Sequence, residues 1–280
     1  MALLQVDVGP SDYSFWWISA KRRRGPDWIR NGVYGVYTLN GIFVPYSVVE
    51  SAAEGFAAGW WACSPSNIYL NLGIGVNNYG PYVDSRTGAD WANVAKAVAT
   101  WVSNRGYSDQ VTVWGAADLE PSWNSTTNTC AWADGYAGVS GRPPYYDFGS
   151  ADGCPTSGTR PGIDGTCNNG WRQSDVWYVS WGVSPAWPLP QIYNTTGANA
   201  RQWQQISLYG YYNQSGRTLY FPGEMTQYQA CQQRGGCAGT DNTPSQGWQQ
   251  LYDALNCYGS TPCPTSQSSL PYSTDIKWNK

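Results

Sequence analysis

The sequence predicts a mixed α/β fold, read as an irregular (β/α)8 TIM-like barrel with disulfide-stapled loops. Three observations point there. Residues 32–120 alternate strand, helix, strand, helix, strand, the order that gives parallel pairing with right-handed crossovers. Short apolar runs end repeatedly in Tyr, Trp, Asn or an acid, as barrel strands do where they build a site. The 280 residues show no internal repeat and no interdomain linker, so 1–280 reads as one domain. A doubly wound open sheet is the alternative.

Taken in order, residues 3–8 form an apolar strand stopped by Gly9 and Pro10. Residues 32–39 alternate in polarity and give a second strand. Val49, Ala52, Ala53, Phe56 and Trp60 recur at helical spacing, and Cys63, Ser64 and Pro65 end that helix. Residues 67–76 form the next strand. The clearest helix carries Trp91, Val94, Ala95, Val98, Trp101 and Val102 on one stripe, with Asp90 placed to cap it and Gly106 to end it. Residues 111–120 follow as a buried strand.

The second half is looser. Residues 121–174 are rich in Gly, Asn, Thr and Asp and read as a long disulfide-stapled excursion. Residues 175–181 read as a strand, 191–193 as a short one, and 198–201 as a helical turn leading into a strand that begins at Trp203. Residues 211–221 suggest a hairpin around Ser215 and Gly216. Trp248, Leu251, Tyr252 and Leu255 mark a last helix, and the Ser/Thr/Pro-rich tail from Pro264 reads as surface chain.

Composition narrows the chemistry. The net charge of −3 argues against nucleic acid as a partner. The one basic run, Lys21 to Arg24, reads as a solvated turn. No apolar stretch reaches the ~20 residues of a membrane helix, and the first residues lack a charged n-region and cleavage site. Eight cysteines point to an oxidising, extracellular setting. Cys231 and Cys237 are spaced for one local disulfide, Cys257 and Cys263 for another; the spacing leaves the pairing of Cys63, Cys130, Cys154 and Cys167 open. With no histidine at all, Ser-His-Asp, Cys-His and imidazole-metal chemistry drop out, and zinc has no C-x-x-C to hold it. No cofactor loop is present.

Carboxylates remain, and glutamate is rare. Asp118 and Glu120 close the strand 111–120, two apart and so on one face. Their Cβ atoms are expected about 6–7 Å apart from the strand rise. Pro121 and Trp123 begin the loop after them. Trp and Tyr number 17 and 21 against 5 Phe, an excess of rings with an apolar face and a polar edge that suits stacking on sugars. Trp123, Tyr146, Trp181, Tyr193 and Trp203 are the candidate platforms. Asp147, Asp152 and Asp164 offer oxygen ligands for calcium, with solvated loop acids as the other reading.

With Asp118-Leu119-Glu120 at a strand end, Gln191-Ile192-Tyr193-Asn194 later and Trp203-Gln204-Gln205 after that, the chain resembles secreted glycoside-hydrolase-like TIM-barrel domains, distantly the family 25 lysozyme-type muramidases. The resemblance implies Glu120 as general acid, Asp118 as stabiliser or nucleophile, Asp7 as a supporting acid and Gln204 beside Trp203 at the substrate. It implies hydrolysis of a polysaccharide or of a peptidoglycan glycan. The alternative is a non-catalytic glycan-binding or structural extracellular protein, with the same aromatic residues as platforms.

Overall fold

The computed structural model describes residues 2–6, 13–20, 29–30, 32–37, 42–184 and 186–277. Asp7 and the basic run at 21–24 lie outside them. Strands β1 (Ala2–Val6), β2 (Tyr13–Ala20), β3 (Ile29–Arg30), β4 (Val33–Tyr37) and β5 (Phe43–Pro45) lead into helix α1 (Tyr46–Cys63). Then come β6 (Tyr69–Asn77), α2 (Ser85–Asn104), β7 (Val111–Asp118), α3 (Thr126–Gly138) and β8 (Tyr145–Asp147). The chain continues through α4 (Gln173–Trp177), β9 (Ala186–Pro188), α5 (Ala198–Asn213), β10 (Gly223–Thr226), α6 (Tyr228–Gln233), α7 (Pro244–Leu255) and β11 (Tyr272–Asp275).

The main sheet has the order β1-β2-β6-β7-β8-β9. Its first pair is antiparallel and every later pair is parallel. Beyond β9 the chain stays in the ladder. Leu189 N–H donates to Asp147 O at 2.7 Å and Gln191 N–H to Gly149 O at 3.1 Å. Gln191 then bridges in parallel to Met225 of β10, which pairs with β11, and β11 lies against β1. Strands β3, β4 and β5 form a separate antiparallel sheet.

Alternation along β7 divides the interior. Val111, Val113 and Ala117 join the large core under the helices, with Trp91, Val98, Trp132 and Tyr136. Ala116 faces the opposite way, into a smaller cluster with Tyr146, Phe148, Leu189 and Met225 that Trp114 and Trp187 cover. Asp118 shares the phase of Trp114 and Ala116. Two glycines let α2 and α3 touch backbone to backbone. A Cβ on Gly88 would meet Trp132 O at 1.9 Å, and one on Gly135 would meet Ser85 O at 1.8 Å.

Several expectations are corrected. Residues 175–181 are helical: α4 passes into a π-helical turn, Tyr178–Gly182. Their buried residues, Val176, Trp177, Val179 and Ser180, follow a helical rather than an alternating spacing, and the Asp175 carboxylate accepts the Arg172 N–H at 2.8 Å to start the turn. Trp203 and Gln204 lie inside helix α5, not on a strand, and α5 also takes the first residues of the expected hairpin. The 191–193 strand is reduced to one bridge. The excursion 121–174 is not all loop, since it holds α3 and β8. Asp84 caps α2 instead of Asp90: its side chain accepts from Thr87 N at 2.8 Å while Thr87 Oγ1 accepts from Asp84 N at 3.2 Å. Gly106 does end that helix, at φ +73°. The tail from 264 ends in β11, which pairs with β10 in a two-stranded sheet.

Cys231–Cys237 and Cys257–Cys263 are disulfides, as their spacing suggested, and Cys154–Cys167 is a third. Cys63 and Cys130 are free thiols. Among the described residues no helix is long and apolar enough to cross a membrane.

Candidate active site

Strand β7 stops at Asp118 because the next residues leave the sheet. Leu119 turns into the core, and its carbonyl packs so closely on Gly149 that a Cβ there would meet Leu119 O at 2.0 Å. Glu120 is then held by its backbone. Asn78, buried just past the end of β6, accepts the Glu120 N–H on its Oδ1 at 3.1 Å and donates through Nδ2 to Glu120 O at 3.1 Å. That side-chain amide continues the ladder after the strands have ended. The same Nδ2 reaches Thr129 Oγ1 at 3.1 Å, tying the turn to α3. Asn124 Nδ2 donates to the carbonyls of Asn78 and Gly80 at 2.9 and 2.6 Å.

The two carboxyls converge on one group. Gln191 Nε2 donates to Asp118 Oδ1 at 2.8 Å and to Glu120 Oε1 at 3.2 Å. An amide nitrogen has two hydrogens, one for each acid. Gln191 is buried and Asp118 and Glu120 are half-buried. Burial pushes the Glu120 carboxyl up to about 7. The Asp152 charge adds to that and Asp147 adds less, while hydrogen bonds to Gln191 and Asp118 act the other way. A group placed there carries its proton through mildly acid conditions and gives it up near neutrality.

Tyr193 comes to the same place: its hydroxyl is pushed well up by burial first, then by Asp118 and Glu120. Trp123 follows in the turn, its backbone N–H donating to Glu120 O at 3.1 Å. Its ring meets Tyr79 edge to face, 6.3 Å between centroids.

The other sequence candidates lie elsewhere. Trp203 is 0% exposed, packed against Phe221, so it has no face to offer a polymer. Tyr146 is 3% exposed and stacked on Trp114 at 4.3 Å; it fills the inner cluster. Trp181 packs edge-on against Trp187 at 5.6 Å. Gln204 lies on α5, within 4.0 Å of the Cys257 sulfur. Asp7 is outside the described residues. The three calcium candidates are engaged separately. Asp147 accepts from Ser180 Oγ at 2.5 Å, Asp152 from Ser122 Oγ at 3.1 Å, and Asp164 from Ser174 Oγ at 2.7 Å. Among the described residues no three acids, cysteines or histidines cluster as metal ligands.

Sequence reasoning missed Asn78, offered Asp152 only as a calcium ligand and quoted Gln191 without giving it a role. A signal was available. In the parallel register Asn77 of β6 stands opposite Asp118 of β7, and β8 ends in Asp147. Polar residues at successive strand ends therefore mark one level of the sheet.

No protein-family model, curated protein or solved structure matches this chain. The functional reading rests on the residues themselves.

Proposed function

We propose that this protein is a secreted glycoside hydrolase acting on a polysaccharide or peptidoglycan glycan, built on an irregular closed (β/α)8 barrel like those of the family 25 lysozyme-type muramidases. The single observation that carries the reading is the shared amide. Gln191 draws Asp118 and Glu120 together, and burial holds the Glu120 carboxyl at about 7. Glycoside cleavage needs such a pair, a protonated acid for the leaving oxygen and a carboxylate for the anomeric carbon. In this reading Glu120 is the acid and Asp118 the carboxylate.

Bonds of 2.8 and 3.2 Å to one nitrogen keep the two oxygens close. In this reading Trp123 with Tyr79 is the ring pair that receives sugar, and Tyr193 lines the floor beside the acids. Three disulfides and the absence of a membrane-crossing helix among the described residues are compatible with an extracellular setting. The strand order that runs from β1 to β11 and back to β1 supports the closed barrel.

The test is product release from a panel of peptidoglycan, chitin and plant polysaccharides. Wild-type protein should release sugar from one class. Glu120→Gln should lower turnover by about 10²–10⁴-fold, the worth of a general acid, while binding persists. Undiminished turnover in that variant refutes the assignment. Binding without release by the wild type points instead to the glycan-binding reading.

A further inference from the structure

The disulfide-closed loop after β8 does more than fill surface. Residues 152–172 fold back on 122–124, the segment that follows Glu120. Ser122 Oγ donates to Asp152 Oδ2 at 3.1 Å, and Asn168 Nδ2 donates to Ser122 Oγ at 3.1 Å. Asn169 Nδ2 and Trp171 Nε1 both donate to Asn124 O, at 2.9 and 2.8 Å. Inside the loop, Asn168 N–H donates to Asp152 O at 2.9 Å, next to the Cys154–Cys167 bridge. Gly153, at φ +70°, permits this contact: a Cβ there would meet Asn168 Oδ1 at 2.0 Å. Asp152 is thus fixed by its side chain, its backbone and a covalent staple two residues away.

We propose that Asp152 is a positioning residue for Glu120: the stapled loop docks on the turn after the acid and sets a second, fixed carboxylate against it. This rests on the reading of Glu120 as the proton donor. The groups that act on Glu120 come from four places: Asp118 from β7, Asp147 through its charge from the outer side of β8, Asp152 from the loop, and Gln191 with Tyr193 from the stretch before β10. Asp152 is the strongest charge among them acting to keep the proton on Glu120. A like charge nearby disfavours ionisation, so the loop lets Glu120 stay protonated at higher pH than burial alone allows.

Two variants test this by carboxyl-carbon NMR titration of Glu120, which needs no substrate. Asp152→Asn removes the charge and keeps the shape; Ser122→Ala removes the anchor at an exposed position. In both, the Glu120 midpoint should move down from about 7, further in Asp152→Asn, with the alkaline limb of any kcat/KM profile moving the same way. An unchanged or raised midpoint in Asp152→Asn overturns the proposal, and no movement in Ser122→Ala overturns the anchoring. If Asp152→Asn fails to fold, Ser122→Ala decides alone. A moved midpoint together with an active Glu120→Gln would leave Asp152 in its role while removing Glu120 from catalysis.

Discussion

At the scale of single residues, the same physics acts on Glu120 and on a second acid that faces the helices. Asp147 is fully buried on the outer side of β8, where it accepts Ser180 Oγ and the Gly149 N–H at 3.0 Å. It anchors the π-helical turn to the sheet. Burial raises its carboxyl from 3.8 to about 7, against the pull of those hydrogen bonds. The sign for stability follows. A folded-state value above the unfolded one stabilises the fold at low pH, and that contribution is lost as pH rises from about 4 through about 7. Glu120 acts in the same direction. Wild-type protein should therefore melt at a lower temperature at pH 8 than at pH 5. Asp147→Asn, whose amide can accept from Gly149 and donate to Ser180, should narrow that difference. An equal difference in both proteins, followed by circular dichroism, contradicts the account. Asp118 and Glu120 were legible in the sequence because scarce acids closed an apolar run. Asn78 and Gln191 were not, because an amide at a strand end carries no pattern until the strands are set side by side.

Elements with a strong period were read correctly, among them α1, α2, β6, β7 and α7. Elements whose identity comes from packing were not. The run 175–181 is mostly Val, Trp and Tyr and carries no clear period of its own; the Tyr145 hydroxyl donating to Val179 O and the Ser180 hydroxyl donating to Asp147 fit its helical form. Strand β11 was hidden for the opposite reason. Its buried Asp275 is polar, yet Thr226 Oγ1 at 2.8 Å and the N–H groups of Tyr228 and Gln229 at 2.6 and 2.9 Å satisfy it. A polar residue so paired can be buried without an apolar signature. The contact between α2 and α3 sets competing magnitudes against each other. Ala at position 88 gains at most about 1 kcal/mol of helix propensity over Gly. Forcing a methyl against Trp132 O costs about 1–3 kcal/mol or more. Gly88→Ala should therefore destabilise the protein in urea unfolding, whereas a gain in stability would show that the helices can separate freely.

Across the whole molecule, order in the second half depends on covalent closure as well as on burial. The Cys154–Cys167 bridge spans 13 residues of Gly- and Pro-rich chain. Closing a loop of that size contributes about 3 kcal/mol through the unfolded state. Replacing both cysteines by serine should lower the unfolding free energy by about that amount; no change would mean that the loop's hydrogen bonds to 122–124 already suffice. The α/β class was legible because alternating strands and helices impose parallel pairing. The strand pairing beyond β8 was not, because β9 and the stretch carrying Gln191 are too short to show a period.

The central claim is that Glu120, drawn to Asp118 by Gln191, still holds its proton close to neutrality. Carboxyl-carbon NMR of the unmodified protein across pH 3–9 measures that directly. The account predicts a Glu120 midpoint at about 7, displaced when Gln191 is replaced by leucine. A midpoint at the ordinary 4.5, indifferent to residue 191, contradicts it.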